Sequence, residues 1–402
     1  MRFLILVALC VGTVQLVFCQ DTSKVAPPAT VKTAKKWYEA INLRGYTQVR
    51  YNRLLETNPD LKCEQCDRSW GKNGGFYFRR IRLIFSGNIH DRVFFYIQPD
   101  FAGAIDKTLN IAQIRDAYFD LALDKKKAYR FRIGQSKVPY GFENLQSSQN
   151  RLPLDRADAL NSAFPNERDL GIFFYWAPPA VRERFSHLVS SGLKGSGDYG
   201  VAGIGVFNGQ VANRPEANDG LHAVARFSYP FEFKNGQIFE PGIQAYSGKA
   251  VVTSVTAGVS GKENYEYTDR RLAGTLVWFA KPFGLAAEYN YGTGPEYNPQ
   301  TNAIEQKTLH GGYVLASYML KLKEQVLIPF TRYQYYHGGK KQELDARKHR
   351  VKELETGVEW QPIKNFELVA MYTVSDRTFE DGALTQNHQK GRLLRLQFQL
   401  NF

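Results

Sequence analysis

Arginine carries the strongest chemical signal in this 402-residue chain. Arg44, Arg50, Arg80, Arg82, Arg130, Arg132, Arg226, Arg332 and Arg395 stand at alternate positions of segments whose intervening residues are apolar, and Lys137 follows directly after one such segment. A guanidinium stays protonated at physiological pH and presents a planar fork of donors that fits a carboxylate or a phosphate. Gathered on one wet surface, such groups would concentrate small anions and repel cations. Glu288, Glu353, Glu355 and Glu359 fall in the same phase, so a wall of balanced charge and weak selectivity is the competing expectation.

Other chemistries find little support. There is no Gly-x-Ser-x-Gly elbow, no His-Glu-x-x-His and no glycine loop fit to cradle phosphate, and the seven histidines are scattered. No enzyme, cofactor or metal is expected. The Cys63-Glu64-Gln65-Cys66 spacing could serve as half a zinc site or a redox pair; a local disulfide in an oxidising compartment needs fewer unseen partners. A formal charge of +13 suggests nucleic acid, but no basic run with interleaved rings forms a platform.

The elements that would position the arginines read as strands. Ile41, Leu43, Gly45, Thr47, Val49 and Tyr51 alternate with Asn42, Arg44, Tyr46, Gln48, Arg50 and Asn52, which is period two. Similar stretches recur near 76–86, 92–101, 114–123, 129–136, 169–177, 199–208, 221–231 and 238–248. They continue near 270–280, 284–292, 308–318, 326–337, 349–360, 365–374 and 392–402, sixteen candidates in all. Links after even strands are short and rich in turn residues, as in Phe233-Lys234-Asn235-Gly236. Links after odd strands are long, at about 53–75, 137–168, 249–269, 293–307 and 375–391. The stretch 178–198 breaks that parity, and the 137–168 link could fold inward as a constriction or cap the outside.

Short turns at one rim and long loops at the other predict an all-β fold, a transmembrane antiparallel β-barrel of about sixteen strands with short periplasmic turns and long extracellular loops. That many strands leave an aqueous lumen. Residues 1–19 read as a secretory signal peptide: Arg2, then an apolar stretch, then Gln20-Asp21. Residues 20–38 would be a short periplasmic segment and 39–402 the outer-membrane barrel. In the last strand Leu394, Leu396, Phe398, Leu400 and Phe402 alternate with Arg395, Gln397, Gln399 and Asn401, and the terminal Phe402 suits an outer-membrane targeting signal. With 27 Phe, 23 Tyr and 5 Trp, the chain has rings enough for two membrane-interface girdles and too many for disorder.

Gly134-Gln135-Ser136-Lys137-Val138-Pro139-Tyr140-Gly141-Phe142-Glu143, followed by Glu167-Arg168-Asp169-Leu170-Gly171, resembles the phosphate-selective porin family (porin O/P type) of Gram-negative outer membranes. Phe78-Arg79-Arg80-Ile81-Arg82-Leu83 and the closing strand fit the same family. The resemblance implies a sixteen-stranded porin, commonly a homotrimer, that passes phosphate or other small anions by passive diffusion while its outer wall meets membrane lipid. It assigns no phosphate site residue by residue. A weakly selective general porin and a structural or adhesive barrel are the alternatives; a barrel lipase would need an outward Ser, His and acid cluster that is not apparent.

Overall fold

The last strand shows why the chain closes on itself. Asn387–Asn401 turns Leu394, Leu396, Phe398 and Leu400 to one face and buries Arg395, Gln397 and Gln399 to 5% exposure or less on the other. A sheet whose buried face is polar and whose bare face is oily cannot make a soluble sandwich. Closure pairs every edge and gives the polar rows a common interior.

The computed structural model describes residues 37–61, 75–105 and 108–402; Cys63, Cys66 and the first 36 residues lie outside these. Its strands are β1 (Ile41–Leu54), β2 (Tyr77–His90), β3 (Val93–Ile105), β4 (Thr108–Ala122), β5 (Tyr129–Lys137), β6 (Arg168–Trp176) and β7 (Ala202–Phe207). Then come β8 (His222–Ser228, resuming at Phe231–Glu232), β9 (Ile238–Val251), β10 (Glu266–Trp278) and β11 (Phe283–Asn298). The last five are β12 (Ala303–Tyr318, resuming at Leu320–Leu322), β13 (Gln325–Gly339), β14 (Lys348–Ile363), β15 (Phe366–Glu380) and β16 (Asn387–Asn401). Each is antiparallel to its sequence neighbours, and β16 pairs back on β1 through Gln399↔Gln48 and Gln397↔Arg50, giving a closed barrel of 16 strands.

The seam is tight. Gly45 N donates to the Phe402 carbonyl at 2.7 Å and Phe402 N returns the bond at 3.0 Å. A Cβ on Gly45 would stand 2.6 Å from the Arg82 carbonyl and 2.7 Å from the Phe402 ring, so no larger residue fits where the last strand docks. Short turns close the opposite pairs by local chemistry. The Asp124 carboxylate accepts from Lys126 N and Tyr129 N, each at 3.0 Å, and Gly236 takes the left-handed φ of 76° that its turn demands.

Two connections enter the barrel. Residues 138–167 carry the helical turns α1 (Phe142–Leu145) and α2 (Asp158–Ala163), nearly every residue of which is buried. The break in loop parity at 178–198 is a helix, α3 (Pro179–Ser190), opened by proline at its first turn and burying Val181, Phe185 and Leu188. Conversely, the link expected at 293–307 is mostly strand: β11 runs to Asn298 and β12 starts at Ala303, so this hairpin continues well beyond the alternating segment. Its tip buries Tyr297 and Ile304 against Val252, Val259 and Tyr267.

Candidate functional site

The 138–167 loop fills one side of the lumen. Val138, Tyr140, Ala163 and Phe164 pack on Phe173, Phe207, Val224 and Tyr246 of β6–β9, and Leu160 packs with Tyr313, Tyr336 and Val351 of β12–β14. Nearer the short-turn rim, Phe142, Leu152 and Leu154 share a core with Leu188 of α3, Leu193, Phe279 just past β10, and inward residues of β9–β15 such as Val277, Phe330 and Met371. Lys194, just past α3, is ion-paired to Glu359 at 2.5 Å, and its carbonyl accepts from Gln146 of the loop at 2.5 Å. The helix therefore supports the loop from below, and the loop reaches across the barrel.

Charge fixes its position. Asp155 takes Arg50 at 2.9 Å and also Arg395; Glu143 takes Arg332 at 2.5 Å and accepts from Ala157 N at 2.8 Å, stapling the loop to itself. Asp158 takes Arg377 at 2.8 Å and Lys340, and Arg271 donates to the Ser162 hydroxyl and carbonyl at 2.6 and 3.0 Å. Glu167 at the loop's end meets Arg168 at 2.6 Å, Arg151 at 3.0 Å, Arg156 at 3.1 Å and Lys137 at 3.6 Å. Burial alone would raise the Glu167 carboxyl, but these four cations hold it well below the usual carboxylate range. Burial likewise opposes ionisation of Asp155 and Asp158, and the arginines and lysine around each hold both low.

The cationic residues singled out in the sequence face the barrel interior, but most are already partnered. Arg82 binds Asp100 at 2.8 Å, Arg130 binds Asp198 at 2.6 Å, Arg132 grips Asp120 with two bonds at 2.7 and 2.9 Å, and Arg226 meets Glu240 at 3.2 Å. Arg332 adds Glu355 at 2.5 Å. Arg50, Arg332 and Arg395 are committed to holding the loop. Lys137 donates to the Asn144 and Leu145 carbonyls at 2.9 and 3.2 Å, at the end of α1. Two differ: Arg80 bonds only the Gln48 side-chain oxygen, at 2.7 Å, and Arg44 is exposed within the lumen. Neither has a carboxylate partner among the described residues.

Space remains along the β1–β6 wall, in two cavities on either side of the loop. The one towards the short turns, about 560 Å³, is lined by Arg44, Arg92, Lys127, Arg130, Arg132, Lys137, Arg168 and Arg182 against Asp116, Asp120 and Asp198. The one towards the long loops, about 460 Å³, has Arg79, Arg80, Arg115, Arg151, Arg156 and Arg214 against Asp100, Asp155, Glu167 and Glu343. The first also carries rings: Tyr96 stacks on Tyr118 at 5.2 Å, and Arg132 lies 4.0 Å over the Tyr118 face. Both cavities hold more cations than anions, and the Nε atoms of Arg80 and Arg115 are buried without a hydrogen-bond partner among the described residues.

Several of these groups escape a period-two reading. Arg79 and Arg115 sit beside β-bulges, at Gln48/Val49 and Gln98/Pro99, that shift the phase of the pairing. Arg151 and Arg156 lie in a loop with no period, and Arg168 is the first residue of β6, in the motif that resembles the porin family.

A model of the family described as phosphate-selective porin O and P matches residues 59–402. No curated protein matches the chain. Among solved structures, the outer-membrane channel DcaP of Acinetobacter baumannii aligns with TM-score 0.54 at 14% identity, covering 90% of this chain and 97% of that one. The anion-selective porin of Comamonas acidovorans aligns with TM-score 0.53 at 9% identity, over 90% and 99% of the two chains. The trimer form of OmpT from Vibrio cholerae aligns with TM-score 0.51 at 10% identity, over 90% and 100%. At such identities the likeness is one of fold.

Proposed function

The chain belongs to the phosphate-selective porin O and P family, and we propose that it lets small anions, phosphate among them, diffuse passively across the outer membrane. The observation that carries this reading is the cation excess of both cavities beside the inward loop, with Arg44 and Arg80 unmatched by acids. A low-dielectric wall focuses that excess on the space a solute must cross. Arg80 and Arg44 would draw the anion. Arg82, Arg130, Arg132 and Lys137 would keep the wall positive, and Arg50, Arg226, Arg332 and Arg395 would brace the lumen and its loop. The similarity to a porin named as anion-selective agrees with this reading.

The extent of ion pairing favours a second reading, a weakly selective porin. Residues 1–19 would be removed on export, 20–38 would remain in the periplasm, and Phe402 would mark the barrel for outer-membrane insertion. A homotrimer fits the apolar outer surface of β2–β7, where Phe78, Leu109, Leu170, Val206 and Ile204 are exposed. Planar-bilayer recording tests the cargo. Phosphate, added at a concentration too low to carry current itself, should depress the chloride current; an unchanged current would remove phosphate as a preferred solute.

A further inference from the structure

The apolar outer wall ends abruptly on β14, β15 and β16, and what replaces it is basic. Leu354, Val374 and Leu394 are the last aliphatic residues of their outward rows; the next outward positions are Lys352, Asp376 and Arg392. The register lines them up: Lys352 pairs with Asp376 and Asp376 with Lys390, one level above the Leu354↔Val374↔Arg392 row. Arg350 stands two residues beyond Lys352 on the same face. Directly opposed side chains in such a sheet have Cβ atoms about 5 Å apart, so the four cations form one patch.

Two carboxylates share these rows, and both are engaged: Asp376 by His388 at 2.8 Å and Lys390 at 3.2 Å, and Glu380, farther out on β15, by Lys348 at 3.5 Å. Arg350, Lys352 and Arg392 are exposed and have no acidic partner among the described residues. Their position is as informative as their charge. They face outward rather than into the lumen, and they sit at the long-loop edge of the apolar band, where lipid headgroups meet the wall. On β2–β7 Leu109, Leu170 and Val206 are exposed near the same rim, and the outward cations of β9 and β10 are engaged, Lys249 by Glu266 at 2.7 Å and Arg270 by Ser247 at 3.1 Å.

We propose that this patch is a docking surface for a phosphorylated lipid of the outer leaflet, its phosphates held by Arg350, Lys352 and Arg392 and its acyl chains lying on Leu354, Val374 and Leu394. The proposal is independent of which solute crosses the lumen. In the test, detergent-purified full-length protein is titrated with bisphosphorylated lipid A, with the dephosphorylated lipid as control, and complexes are counted by native mass spectrometry. The triple variant Arg350→Gln/Lys352→Gln/Arg392→Gln should lose about tenfold or more in affinity, while single-channel conductance stays as in the parent. A variant with Arg350→Lys and Arg392→Lys, which keeps the charge, should retain most binding. Equal binding by parent and triple variant overturns the proposal. So does equal binding of the dephosphorylated lipid, or full displacement by inorganic phosphate at the lipid's own concentration. Cross-linking of a Lys352→Cys variant to a second copy of the chain would reassign the patch to a subunit contact and overturn it as well.

Discussion

At the scale of single residues, the function depends on which cations are free and which are spent. Arg80 and Arg82 are two positions apart on β2 and both face inward, yet only Arg82 has an acid, Asp100 at 2.8 Å. Removing one partner of a buried pair typically costs about 3–5 kcal/mol, because a lone charge is left behind. Arg115, 3.9 Å from Asp100, would absorb part of that cost. Arg82→Gln should therefore lower the thermal unfolding temperature as well as anion preference, whereas Arg80→Gln should lower anion preference at nearly unchanged stability. Equal destabilisation by both would contradict the distinction. The inward arginines are visible in the sequence through period two, but their state of pairing is not. Arg50 and Arg395 meet on Asp155 across separations of 105 and 240 residues, which no local pattern encodes.

At the scale of elements, the strands follow from alternation because one slip of register would turn a whole row from lipid to water. The inward loop has no such constraint and is placed by long-range ion pairs. Its length marked the 137–168 link as unusual, and only the packing of Phe164, Leu160 and Phe142 shows that it fills the lumen rather than capping it. In the same way, 178–198 announced itself by breaking loop parity, while the helix there is recognisable only from what it buries. Three of the carboxylates that hold the loop, Asp155, Asp158 and Glu167, titrate below their ordinary range. A lowered folded pKa contributes stability that is complete above the unfolded value near 4 and fades as pH falls through the folded one. Amide exchange across residues 142–163, corrected for intrinsic rate, should thus show the same protection at pH 7 and pH 5. Protection should fail only in strong acid; loss by pH 5 would mean that other contacts hold the loop.

At the scale of the whole molecule, the chain reverses the layout of a soluble protein. Arg332, Arg377 and Arg395 are among its most buried side chains, while Leu272, Leu276, Ile243 and Leu400 stand bare. Such a body is stable only with lipid outside and water or paired charge within. The loop packs on β6–β9 and β12–β14, α3 borders the short-turn cavity, and the space left beside β1–β6 is cationic, so any solute would pass along the positive wall. The reversal potential of the purified protein in a planar bilayer under a tenfold KCl gradient tests this most directly. Discrete conductance steps should reverse at a potential of the sign set by chloride permeation, and less strongly so after Arg80→Gln. A reversal potential of the cation-selective sign would contradict a net positive passage.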